Sequence, residues 1–226
     1  MTETNSEIKL KPVKINYFLR NLFFSLVVKP LMFIVIGLNV RNYEKLIANG
    51  PCIIVANHNS HLDTLALMSI FSLDAIKIIR PVAAADYFLT NKALAWFSQV
   101  IIGIIPLDRN LSYNHDPFVD VIEAIDQNQI IIIYPEGSRG IPEKIDKFKS
   151  GIAHLAKRRP QTPILPIFLH GFGKTLPKGE ALLVPFFCDI FIGDKILWTG
   201  NKNSFMELLE QKMSDLSNSA NFLPWD

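Results

Sequence analysis

From residue 52 onward, short unbroken apolar runs alternate with stretches in which apolar positions recur every three or four residues. Runs of this length with no polar interruption predict strands buried on both faces, at 52–56, 77–83, 102–106, 130–134 and 164–169. A further run, 182–192, has room for one strand or two. The amphipathic stretches predict helices over 61–72, 91–100, 116–127, 151–158 and 203–218. This alternation predicts an α/β domain over residues 46–226, built on a mixed, largely parallel sheet flanked by helices. No internal repeat or low-complexity block interrupts it.

The first 45 residues follow a different pattern. Residues 1–10 are polar, then residues 17–28 and 31–38 are mostly apolar and separated by Lys29-Pro30. A membrane-spanning helix needs roughly 20 continuous apolar residues. A charge near its middle is costly in lipid, and the proline ring breaks the helical ladder. Residues 1–45 are therefore expected to be a tail followed by two short helices dipping into one leaflet. A helical hairpin packed on the domain is the alternative. No small-residue cleavage pattern of a signal peptide follows the apolar run.

Composition sharpens that picture. Hydrophobic residues make up 49% of the 226, with 16 phenylalanines and a mean hydropathy of +0.23, yet 19% are charged. This describes a globular domain with some membrane-facing surface. A net charge of +2 is too small to argue for a nucleic-acid partner. Basic residues gather at Lys9, Lys11, Lys14 and Arg20, and again at Lys144, Lys147, Lys149, Lys157, Arg158 and Arg159. Each group reads either as a contact for anionic lipid headgroups or as a solvated face. Cys52 and Cys188 sit in apolar runs and are expected as buried free thiols.

Four segments carry candidate chemistry. In Asn57-His58-Asn59-Ser60-His61-Leu62-Asp63, directly after the first strand, a histidine can take a proton near neutral pH and a nearby carboxylate can fix its tautomer. Five residues apart is not one face of a helix, so His58 belongs on the turn and Asp63 in the first helical turn. Asp63 has a second reading, as part of a capping-box-like start with Ser60 as N-cap. In the 103–109 segment, Arg109 at a strand end suits a phosphate, against a plain Asp108–Arg109 surface pair. After the 130–134 run, a loop bounded by Gly137 and Gly140 presents Glu136, Ser138 and Arg139 at the carboxyl edge of the sheet. Residues 163–171 read as a core strand able to wall an acyl pocket. The nearby Gly173-Lys174-Thr175 mimics a phosphate-binding loop, but Phe168 stands where its first glycine is required.

In this order, residues 57–63, 103–109, Tyr134-Pro135-Glu136-Gly137-Ser138-Arg139 and Leu165-Pro166-Ile167 resemble the glycerolipid acyltransferase superfamily, typified by 1-acylglycerol-3-phosphate acyltransferase. Phe148-Lys149-Ser150-Gly151 is similar to the stretch that follows the third of these blocks, and the N-terminal segment to the membrane-docking motif of some bacterial members. The second block departs from the commoner pattern at Pro106-Leu107-Asp108, the third in reading Gly-Ser-Arg-Gly.

The resemblance implies transfer of a fatty acyl group from acyl-CoA or acyl-carrier protein to a lysophospholipid hydroxyl. The default acceptor is 1-acylglycerol-3-phosphate, giving phosphatidic acid; lysophosphatidylethanolamine or a lyso-ornithine lipid are the alternatives. It further implies His58 as the base, Asp63 as its orienter and Arg109 and Arg139 as the phosphate grip. Glu136 would place the glycerol backbone or the arginines, with Gly137 and Ser138 in the same loop, and Lys149 would add a phosphate contact. No metal or bound organic cofactor is expected, since the acyl carrier is a co-substrate. A monotopic or peripheral enzyme on the cytoplasmic face of a membrane is the expected setting. A lipid hydrolase is the rival enzyme, though no Gly-x-Ser-x-Gly nucleophile elbow is present. A non-catalytic membrane-binding protein is the other rival.

Overall fold

The isoleucine-rich runs become the centre of a seven-stranded sheet because they are apolar on both faces. The computed structural model describes residues 14–88, 91–108, 116–140, 144–176, 184 and 187–219. The strands are β1 Asn39–Arg41, β2 Cys52–Ala56, β3 Ile79–Ala84, β4 Ile105–Leu107, β5 Ile130–Ile133, β6 Ile164–His170 and β7 Asp189–Ile192. Their spatial order is β1-β7-β6-β2-β5-β3-β4, with every neighbouring pair parallel except β6 and β7. The sheet is thus mixed and largely parallel, as expected.

Alternation along each strand sends side chains into two separate cores. Cys52, Ile54, Ile130 and Ile132 join the layer formed with the helices Tyr17–Val35, Leu62–Ser69 and Lys92–Ile102. Ile53, Val55, Ile131 and Ile133 point the other way, against the helices Val119–Asp126, Gly151–Arg158 and Lys202–Ser219.

Four expectations need correcting. The run at 102–106 is a strand only from Ile105, because the preceding helix continues to Ile102 and stops at Gly103, which holds φ +75°. Of the 182–192 run, Asp189–Ile192 is strand, and residues 182, 183, 185 and 186 lie outside the described residues. β1 was not foreseen; three residues of mixed polarity leave no apolar run to read, and its pairing with β7 supplies the strand. β1 thus gives the sheet its edge beside β7.

The fourth correction concerns Lys29-Pro30, which does not divide the N-terminal segment. Tyr17–Val35 is one helix of 19 residues. Phe24–Val28 and Leu31–Val35 adopt wider π-type turns, with the Lys29 N–H bonded to Phe24 O and the Ile36 N–H to Leu31 O. Such turns move the carbonyl that a proline ring would meet in a regular α-helix. They also align residues spaced by four, which drift around a helix of about 3.6 residues per turn. Arg20, Phe24, Val28, Met32 and Ile36 form that aligned, buried stripe. Lys29 folds onto the protein, its Nζ donating to Ser69 O at 2.9 Å and Phe71 O at 2.7 Å. Arg20 also turns inward rather than toward headgroups, donating from Nη2 to Ile79 O at 2.8 Å. Burial and the neighbouring Arg80 pull its guanidinium down to about 10. The opposite side of the helix is apolar and open, with Phe18 75%, Leu26 66% and Ile34 80% exposed.

Two members of the second basic cluster are held in ion pairs. Arg158 pairs with Asp116 and Arg159 with Asp126, on the side of the sheet away from the N-terminal helix. Cys52 and Cys188 are both buried, Cys188 Sγ lying 3.2 Å from Thr175 Oγ1, and burial pushes the Cys52 thiol up to about 12.

Candidate functional site

Where β2 ends, Asn57 extends the sheet with its side chain. Its Nδ2 donates to Leu169 O at 2.9 Å and its Oδ1 accepts from Leu169 N at 2.7 Å. The chain is thereby clamped to β6 and released into the turn that carries His58. Asp63, fully buried in the first turn of Leu62–Ser69, closes that turn from below. Its Oδ2 accepts from Asn59 N at 2.7 Å, Ser60 N at 2.8 Å and His58 Nδ1 at 2.9 Å. Ser60 Oγ accepts from Leu62 N at 3.2 Å and donates to Leu176 O at 3.1 Å. Capping and orienting are therefore one arrangement: the carboxylate that caps the helix start is the one that holds the imidazole. With Nδ1 donating to a carboxylate, Nε2 is left as the proton acceptor. The His58 side chain is 22% exposed, enough to be met by a substrate.

The loop after β5 meets the same histidine from the other side. The Tyr134 ring stacks on the imidazole with centroids 4.1 Å apart and planes at 18°. Tyr134 Oη and Thr64 Oγ1 are hydrogen-bonded at 2.9 Å. Gly140 N donates to His58 O at 2.9 Å, and His58 N reaches Glu136 Oε1 at 3.4 Å, a long and weak contact. Glu136 is buried, and its Oε2 has no hydrogen-bond partner among the described residues. Burial lifts its carboxyl to about 8, with Asp146 and Asp63 adding to the rise. It faces inward at the His58 peptide, and this rise favours its protonated form near neutral pH.

The remaining expected residues divide between the described and the undescribed. Gly137 holds φ +75°, and a Cβ there would lie 2.4 Å from Lys149 Nζ, so the lysine lies directly over the glycine. Ser138 is exposed and Arg139 half-buried. Arg139 directly precedes Gly140, whose N–H is bonded to His58 O, and so lies beside the turn; burial, then the Arg139 charge, lowers the pKa of His61. His61 in turn stacks on Tyr87 with centroids 5.9 Å apart. The structure thus brings His58, Asp63, Glu136, Gly137, Ser138, Arg139 and Lys149 to one end of the sheet. Arg109 lies outside the described residues, which resume after Asp108 at residue 116. Among the described residues no group of three His, Cys, Asp or Glu is gathered to hold a metal.

Sequence reasoning included Asn57, Tyr134 and Gly140 in its motifs without assigning them these contacts, and it passed over Thr64. An aromatic residue closing the isoleucine run was the available signal for Tyr134. For Thr64 there was none, because its partner is 70 residues away.

The model of the family described as Acyltransferase matches residues 37–170. Over 169 residues the chain is 26% identical to 1-acyl-sn-glycerol-3-phosphate acyltransferase BAT2, chloroplastic, of Brassica napus, covering 74% of this chain and 46% of that protein. Over 135 residues it is 30% identical to human 1-acyl-sn-glycerol-3-phosphate acyltransferase beta, covering 59% of this chain and 46% of that one. The chain therefore spans about half the length of these relatives. Among solved structures, the 1-acyl-sn-glycerophosphate acyltransferase PlsC of Thermotoga maritima superposes with a TM-score of 0.71 at 17% identity, covering 92% of this chain and 81% of that one. That likeness is one of fold.

Proposed function

The chain belongs to the Acyltransferase family, and from that premise we propose that it transfers a fatty acyl group from an acyl thioester to the free hydroxyl of a lysophospholipid. The observation that carries the proposal is the single carboxylate oxygen of Asp63 bonded to His58 Nδ1 and to two backbone N–H groups. It fixes one tautomer, leaving Nε2 to take the acceptor's proton. The hydroxyl oxygen attacks the thioester carbon as its proton passes to Nε2. The tetrahedral intermediate then collapses, the C–S bond breaks, and the protonated His58 returns the proton to the departing thiolate. No covalent acyl-enzyme is required.

Arg139 and Arg109 hold the acceptor phosphate, through charge-assisted bonds suited to a planar guanidinium, with Lys149 at the same loop. 1-Acylglycerol-3-phosphate is the acceptor we favour, in keeping with the names of the relatives; the donor is acyl-CoA or acyl-carrier protein. Glu136, turned toward the His58 peptide with its neutral form favoured, supports the turn.

Tyr17–Val35 rests on the bilayer rather than crossing it. Its inward stripe runs the length of the helix and is held in the core, so the open apolar side is left to enter one leaflet. We place the enzyme on the cytoplasmic face.

A panel of lysolipids assayed with both donors, with His58→Ala as blank, tests the reaction. A diacyl product that His58→Ala no longer forms supports transfer, whereas release of free fatty acid alone means hydrolysis and overturns it. For docking, Phe18, Leu26 and Ile34 replaced together by Ser should leave the protein in the supernatant when anionic vesicles are pelleted. Undiminished pelleting of that variant assigns docking to another surface.

A further inference from the structure

Three features hold His58, and only one of them has been given a part in the reaction. Asp63 fixes the Nδ1 edge of the ring. The loop after β5 fixes the peptide, with Gly140 N on the His58 carbonyl. The third is the flat face of the imidazole, lying on Tyr134 at 4.1 Å.

We propose that Tyr134 is a positioning residue for the acyl transfer, a bonded aromatic floor that holds the His58 ring in plane and favours its protonated form. The inference rests on the reading of His58 as the base. Register explains how the floor is built. β2 and β5 run parallel with Val55 opposite Ile133, so Ala56, the last residue of β2, and Tyr134, the first past β5, follow side by side. The Tyr134 ring meets His58 two positions further on.

The phenol is tied down at its far end. Its bond to Thr64 Oγ1 reaches the residue next to Asp63, so one helical turn supplies both the group that grips the ring's edge and the group that anchors its floor. Burial and the nearby Asp63 hold the Tyr134 hydroxyl well above its ordinary value, so it stays a neutral donor or acceptor while His58 changes charge. As His58 takes the acceptor's proton, a cation forms against the negative face of the phenol ring, the arrangement that stabilises it. Among the described residues, the charged and titratable groups around the imidazole are Asp63 on its edge, Glu136 at its peptide, His61 at the helix start and Arg139 on the loop after β5. Tyr134 covers its face.

The test is Tyr134→Leu, which keeps an apolar cover and removes the π face, compared with Tyr134→Phe, which keeps the ring and removes only the Thr64 bond. Tyr134→Leu should lower kcat by about three- to thirtyfold with KM near wild type. It should move the acidic limb of the kcat/KM profile to lower pH by up to about one unit. Tyr134→Phe should leave that limb in place. Loss of packing alone would lower the melting temperature without moving the limb. Wild-type kcat and an unmoved limb in Tyr134→Leu overturn the proposal.

If Tyr134→Leu shows no cooperative melt, Thr64→Val carries the test. It should lower kcat about threefold at unchanged KM, an effect the size of one lost hydrogen bond; wild-type kcat there also overturns the proposal. His58→Ala, assayed alongside, separates the two levels. If it retains activity, the base assignment itself has failed. If it is inactive while Tyr134→Leu is unaffected, only the role given to Tyr134 has.

Discussion

The loops that follow β2 and β5 lie side by side at one edge of the sheet, yet they are secured in opposite ways. In the first, the side chains of Asn57, Ser60 and Asp63 are bonded to backbone, and Asp63 Oδ2 alone accepts three hydrogen bonds. In the second, Ser138 is exposed and Arg139 half-buried; buried polar atoms without a partner among the described residues occur in both loops, Asp63 Oδ1 and the Asn59 amide in the first and Glu136 Oε2 in the second. The contrast fits a division of labour. A general base must be held in its working geometry before the substrate arrives. A phosphate grip completes its bonds only when the phosphate is present.

That contrast can be broken at several points. The largest expected effect is at the bonded turn: His58→Ala should cut kcat by about two to four orders of magnitude with KM little changed. Asp63→Asn should come close to it, by favouring the wrong tautomer. Steady-state kinetics on folded variants, checked by thermal melting, decide this, and near-wild-type turnover in either would remove the dyad from the mechanism.

A smaller effect of a different kind belongs to the open loop. Arg139→Ala should raise KM for a phosphate-bearing acceptor by about ten- to a hundredfold, the loss of a charge-assisted pair, with kcat at saturation largely kept. An unchanged KM would mean that the phosphate is held elsewhere.

The smallest expected effect is on stability. Glu136 keeps its proton in the folded protein up to about 8, while its ordinary value is 4.5. Between those values the folded state binds more protons than the unfolded one, so stability falls as pH rises through the window. Glu136→Gln should flatten that slope and melt at a higher temperature than wild type near pH 8. Parallel melting curves across the window would show that this carboxyl does not titrate as its burial implies.

The two loops also differed in how far they could be read from sequence. The His58–Asp63 pair was legible because the bonds of Asp63 Oδ2 to His58, Asn59 and Ser60 all lie within six residues, at a helix start, whereas the distant clamps of Asn57 on Leu169 and Ser60 on Leu176 left no local signal. Glu136 was recognised as a member of the block, but a loop carboxyl's direction depends on what packs around it, here Asp146, Gly140 and the His58 peptide. The central strands were legible from their unbroken isoleucine runs. Tyr17–Val35 was misread at Lys29-Pro30 because local rules make that pair a break, while the wider turns and the carbonyls at Ser69 and Phe71 accommodate it. The tertiary partner outweighed the local rule.

Lys29 bears on how a soluble form of this protein could be engineered. Truncation is the obvious route, since residues 17–35 look like a detachable anchor. Yet Lys29 caps the C-terminal carbonyls of the helix whose first turn holds Asp63, and Phe24, Val28 and Met32 fill the core beneath it. Cutting the segment away would bare that core and uncap the far end of the catalytic helix, so lost activity in a truncated protein would not report on lipid contact. Recolouring the outward positions with polar residues, while leaving the stripe and its lysine untouched, is the design that separates solubility from catalysis.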